Sequence, residues 1–429
     1  MNRIEAPLGE LITYIGKGIV PSYTENESTH DAVMVLGQRC VRNYAIDYSQ
    51  ARFHDKSAKA FRDEKRVVKG DILVNATGVG SAGRVAQIIT EPQRECVTDG
   101  HVITLRASNQ IDPYYLGYYV KSKQSDIEKM AEGSTGQTEM NRKRLQEEVL
   151  VTYPESNEDQ QKIAKFGLAI DRKINLNARL NGYLEELFES NFKQLLGRAD
   201  QSWSSASLLS IADYKNGLAM QKYRPEPGDE GLPVLKIREL GQESCGSESE
   251  RCRSDIDESV LIRDGDLVFS WSGTLLLKFW AGGDAGLNQH LFKVTSDSYP
   301  SWFYYAWTKY HLARFIMLAK DRATTMGHIK RSALAESEVL IPPRRLLTEQ
   351  TGLMQPIIDQ IVSTKVESRK LTALRDVLLP KLMSGEIDVS KVDLMQLNSH
   401  LAKRIQVVKR RTIKSDLSSN ATDQPLVIK

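Results

Sequence analysis

The sequence predicts an α+β protein made by internal duplication: two similar globular domains separated by two long antiparallel helices. Three observations predict it. Residues Gly70-Asp71-Ile72-Leu73-Val74 return as Gly265-Asp266-Leu267-Val268-Phe269. Around that anchor, matched pairs recur at a separation that drifts from 199 (Gly18 and Gly217) to 189 (His101 and His290). Each copy opens with short β-patterned runs and closes with an amphipathic stretch of about forty residues. A period of roughly two hundred residues marks a duplicated domain and not a solenoid unit.

The elements follow in order. In the first copy, residues 1–156, the runs Ala32–Leu36, Asp71–Asn75 and Arg84–Ile89 read as strands punctuated by Gly and Asn. A helix is expected from about Pro113 to Met130, opening with a proline whose missing N–H costs nothing there. Residues 157–199 hold the first long helix, from about Asn157 to Leu196. Its apolar stripe is Ile163, Phe166, Ile170, Leu180, Leu184 and Leu187, interrupted by Lys173 and Asn177. The second copy, residues 200–346, repeats the pattern with strands at Pro233–Ile237 and Asp266–Ser270 and a helix from near Pro300. Residues 347–388 hold the second long helix, from about Thr348 to Met383, striped by Leu353, Ile357, Thr364, Leu371, Leu374 and Leu378. A near-heptad spacing indicates helices that seek each other. At about 1.5 Å per residue each would span on the order of 60 Å, although Gly167, Gly182 and Pro356 weaken or bend them. Residues 389–429 read as a flexible basic tail.

Composition excludes more than it selects. No run of about eighteen apolar residues is present, which argues against a membrane span. The start of the chain lacks the apolar core of a signal peptide. Cys40, Cys96, Cys245 and Cys252 show no C-x-x-C spacing, so reduced thiols in a cytoplasm fit better than disulfides or zinc. Net charge is +3, and residues 390–429 alone hold eight Lys/Arg against three Asp/Glu. The remainder is therefore slightly acidic, and an argument for nucleic acid must rest on local placement.

Catalytic motifs fail on context. Gly78-Val79-Gly80-Ser81-Ala82-Gly83 satisfies G-x-G-x-x-G, but a strand follows it where a phosphate would need a helix N-terminus. Asp112-Pro113-Tyr114-Tyr115 comes close to the D-P-P-Y motif of adenine methyltransferases, lacks the second proline, and reads better as a helix start. The recurring His101 and His290 read as structural. No other nucleotide, metalloprotease or hydrolase signature occurs. A diverged methyltransferase and a helical adaptor without sequence readout remain the rival readings.

What recurs is loop chemistry suited to DNA. The first loop of each copy offers Lys17 and Tyr23, or Lys222, Tyr223 and Arg224, beside Gly18 and Gly217, which would let the backbone approach a phosphate. Strand ends present Gln38 and Arg39, or Lys236 and Arg238; Arg and Gln can make bidentate contacts with base edges. Glycine-anchored loops follow at Thr77 and Gly78, or Trp271, Ser272 and Gly273. Beyond the helix come Thr135 and Gln137, or Thr324, Thr325 and His328. These lead into Asn141, Arg142 and Lys143, or Lys330 and Arg331.

Two segments then carry a resemblance. Glu158–Ala164 with Ile170–Asn181, and Leu374-Arg375-Asp376-Val377-Leu378-Leu379-Pro380-Lys381-Leu382-Met383-Ser384-Gly385-Glu386-Ile387, resemble the central and C-terminal regions of the specificity subunits of type I restriction–modification systems. The resemblance extends over about residues 1–390. It implies two target recognition domains, each reading half of a bipartite sequence in double-stranded DNA through the major groove. It also implies helices that set the spacer and dock two modification subunits. S-adenosylmethionine would sit on those subunits and ATP on a separate DNA-cleaving subunit, with Mg also expected on partner subunits and no cofactor and no catalysis in this chain. One departure is Tyr153-Pro154-Glu155, where the family often shows two prolines, as Pro342-Pro343 does.

Overall fold

The computed structural model describes residues 2–388 apart from His30, Asn43, Val79, 133–138 and 322–328. The expected sites Thr135, Gln137, Thr324, Thr325 and His328, and the tail, lie outside the described residues. The chain divides into two compact units, residues 1–171 with 374–429, and residues 172–373. Each holds one α+β domain and a segment of both long helices.

In the first unit, the buried run Ala32–Leu36 pairs in parallel with Cys96–Thr98 and antiparallel with Arg52–Asp55, which also pairs with Tyr23–Thr24. A second sheet orders Ile12–Lys17, Val102–Ala107, Ile72–Asn75 and Val85–Gln87, all antiparallel. A strand pair, Arg3–Pro7 with Leu150–Pro154, closes the domain. The second unit repeats the antiparallel sheet and the parallel pair of the mixed one. Leu232–Leu235 pairs in parallel with Ala285–Leu287. Asp213–Asn216, Leu291–Thr295, Leu267–Ser270 and Leu277–Phe279 form the antiparallel partner sheet.

The Gly-Asp anchor of the repeat explains itself physically. Gly70 (φ +96°) and Gly265 (φ +93°) occupy the left-handed region that favours glycine. The following carboxylates close the turn: Asp71 accepts from Val68 N–H at 2.9 Å and Asp266 from Arg263 N–H at 2.7 Å. A base from the neighbouring strand balances each acid, Arg106 on the buried Asp71 at 2.8 Å and Lys293 on the part-buried Asp266 at 2.9 Å. Burying such a carboxylate without a partner would be expensive.

The helix at Pro113 starts as expected, with Asp112 accepting from Tyr114 N–H and Tyr115 N–H, but it breaks at Lys123 into Pro113–Ser122 and Gln124–Lys129. Its counterpart runs unbroken over Ser301–Asp321. The first long helix spans Asn157–Leu196 and the second Arg344–Ser384. The second begins four residues before the expected start, directly after Pro343. It continues through Pro356, where both Pro356 and Gly352 are exposed and solvent can satisfy the freed carbonyl.

Within the second unit the helices run antiparallel. Lys173 pairs with Glu367 at 2.8 Å, Asn177 donates to Glu367 and Ser368, and Thr364 donates to Asn181. The expected stripe therefore needs correction. Asn177 does not interrupt the seam; it is 1% exposed and belongs to it. Leu187 and Leu353 are 47% and 57% exposed, while their neighbours Phe188 and Met354 fill the core. Leu374 is likewise exposed, in the first unit, and the Arg375 guanidinium turns inward to Asp171 at 2.6 Å. Tyr118 donates to the same carboxylate at 2.6 Å. Gly167 makes room for that ring, since a Cβ there would lie 2.6 Å from it. Lys121 stands 3.8 Å from Asp171, and burial holds its ammonium pKa below the usual value despite the carboxylate.

Candidate nucleic-acid interface

Sheet register gathers the candidate loops at one end of each domain. Lys17 pairs with Ile103 and Asn75 with Val102, so the exits of two strands and the entry of the strand between them coincide. The second domain matches this, with Asn216 on Phe292 and Ser270 on Leu291. Asp99 N–H donates to the Leu36 carbonyl, and Asn288 N–H to that of Leu235, which brings the parallel strand to the same end. Met140 N–H reaches the Ala76 carbonyl at 2.7 Å and Ile329 N–H that of Trp271 at 3.0 Å. Those bonds seat the Asn141 and Lys330 segments beside the glycine loops.

Hydroxyl–imidazole pairs hold the loops. Thr77 Oγ1 lies 2.9 Å from His101 Nδ1, and Ser272 Oγ lies 3.1 Å from His290 Nδ1. His101 N–H donates to Asp99 and His290 N–H to Asn288. Burial raises the Asp99 carboxyl pKa above the usual range, against the bond from His101. The two recurring histidines are thus structural. Gly78 (φ +105°) and Gly273 (φ +62°) turn the loops back toward the sheet.

Several expected contact residues are occupied internally. Gln38 donates to Thr77 at 2.7 Å, Lys17 pairs with Glu139, and Lys236 pairs with Glu250. The Tyr23 hydroxyl accepts from Arg52, whose guanidinium lies 3.6 Å over the ring. Asn141 caps the helix Arg142–Glu148 through Lys143 N–H and Arg144 N–H, a sufficient reason for an Asn at that position. Lys143 lies 3.8 Å from Glu147. Trp271 packs on His290 and Phe292, Tyr223 packs on a core cluster, and Arg331 reaches Asp213 and the Tyr214 carbonyl.

Arg238 is not at a strand end. It lies in the short helix Ile237–Gln242 and pairs with Glu239 at 2.7 Å. Burial alone would raise the Glu239 carboxyl pKa, but the bonds from Arg238 and Ser249 bring it below the usual range. Arg39, its counterpart, is exposed in the turn Gln38–Cys40 and forms no ion pair among the described residues. The same holds for Arg142, Lys222, Arg224 and Lys330, all exposed. These five can donate to base edges or phosphates without losing an internal partner.

Gly18 and Gly217 also differ from expectation. A Cβ on Gly18 would stand 1.9 Å from the Thr98 carbonyl oxygen, and one on Gly217 2.3 Å from those of Leu287 and Asn288. These glycines admit a neighbouring strand and not a phosphate. Gly83 leads into the strand Val85–Gln87, so the G-x-G-x-x-G segment has no helix N-terminus behind it. Among the described residues no cluster of three or more His, Cys, Asp or Glu could hold a metal, and no helix is long and apolar enough to cross a membrane. Burial pushes the Cys40 thiol up to about 11 and the Cys96 thiol up to about 12, which suits packing better than redox chemistry. Sequence reading passed over Lys59, Arg62 and Lys65, although their spacing of three was visible.

Fold and site together define a duplicated binding scaffold that offers donors from loops at one end of each domain. Comparison with known proteins shows what it is similar to. Residues 7–186 match the type I restriction modification DNA specificity domain. The chain is 24% identical over 224 residues to the type I restriction enzyme EcoBI specificity subunit of Escherichia coli, covering 50% of this chain and 45% of that one. It is 25% identical over 312 residues to the MjaIX specificity subunit of Methanocaldococcus jannaschii, covering 65% and 70%. The fold resembles that of a type I restriction-modification system S subunit from M. genitalium, with TM-score 0.53 at 17% identity over 89% of this chain and 96% of that one. The similarity to the DNA specificity domain is carried by residues 7–186.

Proposed function

We propose that this chain is the sequence-specific, non-catalytic DNA-binding subunit of a type I restriction–modification complex. Each domain reads one half of a split target, and the helices set the spacer and dock two modification subunits. S-adenosylmethionine binds those subunits, and ATP and Mg bind restriction subunits, all in the cytoplasm. One observation carries the reading: the two end faces repeat a backbone scaffold, down to the hydroxyl–imidazole pairs, yet carry different side chains at the same positions. Gln38 stands where Ile237 does, and Ala76 where Trp271 does. A repeated scaffold with diverged loops is what two readers of different half-sites require.

Mobility shifts with the assembled complex test it. Binding should survive competitor DNA on one sequence and fall off on others. Affinity that followed salt alone, whatever the sequence, would refute the reading. Saturable S-adenosylmethionine binding by this chain by itself, measured calorimetrically, would favour an enzyme instead.

A further inference from the structure

The first domain carries a basic pocket outside the loops described above but tied to them. The strand Arg52–Asp55 ends in a turn closed by Asp55, which accepts from Ser57 N–H and Ala58 N–H. The chain then crosses to the 3-10 turn Asp63–Lys65. His54, fully buried, fixes the crossing. Its Nδ1 accepts from Ser22 N–H at 2.9 Å, so Nε2 carries the proton and donates to the Lys59 carbonyl at 2.7 Å. Phe61 packs on the cluster of Val33, Val35 and Val97. What results is a cavity of about 280 Å³ whose wall includes Lys59, Arg62 and Lys65, with Glu64 as the acid among its lining residues.

The two lysines are held in place without being neutralised. The Lys59 ammonium donates to the Val20 carbonyl at 3.0 Å and Lys65 to the Lys17 carbonyl at 2.7 Å. Lys17 ends the strand Ile12–Lys17 and Val20 lies on the loop leaving it, so the pocket is continuous with the end face. Neither lysine meets a carboxylate among the described residues. Arg62 has 86% of its side chain exposed, with Glu64 at 3.8 Å as its one carboxylate neighbour among the described residues.

The second domain builds the same turn with the opposite charge. Its 3-10 turn Glu258–Val260 is capped by Asp257, where the first domain has Arg62. The positions of Lys59, Arg62 and Lys65 are held there by Ser254, Asp257 and Val260. Residues 59–65 contain three bases and two acids, and residues 254–260 contain three acids and no base. The first turn thus offers bases to an anion, whereas the second offers none: its Asp255 and Glu258 are taken up by Arg253 and Arg263.

We propose that Lys59, Arg62 and Lys65 seat a phosphate of the DNA backbone beside the half-site read by the first domain, and that the second domain makes no equivalent contact. The inference rests on the DNA-reading function proposed above. A phosphate contact adds affinity without sequence preference, and each one lost lowers the salt slope of binding by about 0.9.

Phosphate-ethylation interference and salt titration of the full chain in its assembled complex test it on a duplex bearing the selected site. Interfering phosphates should extend further on the side of the first domain. Arg62→Gln, and the triple change Lys59→Gln, Arg62→Gln and Lys65→Gln, should weaken binding to every sequence alike and reduce the salt slope, by about 0.9 for the single variant. Arg62→Gln removes only an exposed side chain, so its result stands even if the triple variant folds poorly. Symmetric interference, an unchanged slope in Arg62→Gln, or an altered base preference would overturn the proposal. A wild-type complex without sequence preference would instead sink the DNA-reading assignment, and this proposal with it.

Discussion

Replacing Gly18 by alanine separates a structural glycine from one that serves DNA. The added Cβ would meet the Thr98 carbonyl oxygen at 1.9 Å, its carbon at 2.2 Å and the Asp99 oxygen at 2.5 Å. All three are backbone atoms, so no rotamer change relieves the clash. Real Cβ atoms essentially never approach closer than 3.0 Å, and the two segments must therefore separate by over 1 Å. That movement strains the bonds from Gly18 N–H to the Val102 carbonyl (3.1 Å) and from Ile19 N–H to that of Thr98 (2.8 Å). At about 1 kcal/mol for each bond and about 1–3 kcal/mol for overpacking, the change should cost roughly 3–5 kcal/mol. In calorimetry the unfolding of the first domain should move down by on the order of 10 °C. Gly182→Ala is the control: no atom lies within 4 Å of its Cβ, and a helix interior should gain about 1 kcal/mol. If Gly18→Ala kept wild-type stability and lost only DNA affinity, the strand-contact argument would be wrong.

Four further outcomes are expected. Arg39→Ala should leave stability unchanged and relax base preference in one half-site by about 1–3 kcal/mol, read by competition binding on single-base variants. Arg238→Ala should lower thermal stability as well, because Glu239, 2% exposed, loses its guanidinium partner; base relaxation without destabilisation would contradict that pairing. Asn177→Ala should cost about 2–3 kcal/mol in urea unfolding through lost buried hydrogen bonds. Asn177→Leu should recover stability and loosen the helix register, so that selected targets tolerate more than one spacer length; an unchanged single spacer would count against a register role. Burial holds the His311 pKa below the usual imidazole value, against the bond it shares with the Glu338 carbonyl. The folded state therefore binds fewer protons than the unfolded state, and stability should fall as pH drops through and below the usual imidazole range. Urea midpoints at about pH 5 and about pH 8 should differ less in His311→Gln than in the wild type; equal differences would refute the assignment.

The duplication was legible in the sequence because its anchors do backbone work. Gly70 and Gly265 need a positive φ, and the aspartate after each closes the turn, so both copies keep them. The long helices were legible by length and composition. Their seam was not, because an apolar stripe passes over Asn177 and Asn181, whose burial depends on partners nearly two hundred residues away. The same blindness affected the interface. Asn141, Lys17 and Arg238 have side chains suited to DNA, but Asn141 caps a helix and the other two pair with acids whose proximity only the fold reveals. Arg39 escaped that fate and is the clearest sequence-level candidate for a base contact.

The most direct measurement is selection of binding sites from random duplexes by the assembled complex, repeated with Arg39→Ala. Two short specified blocks should emerge, separated by a spacer of fixed length and free sequence, with Arg39→Ala relaxing one block only. A single contiguous motif, no motif at all, or relaxation of both blocks together would contradict it.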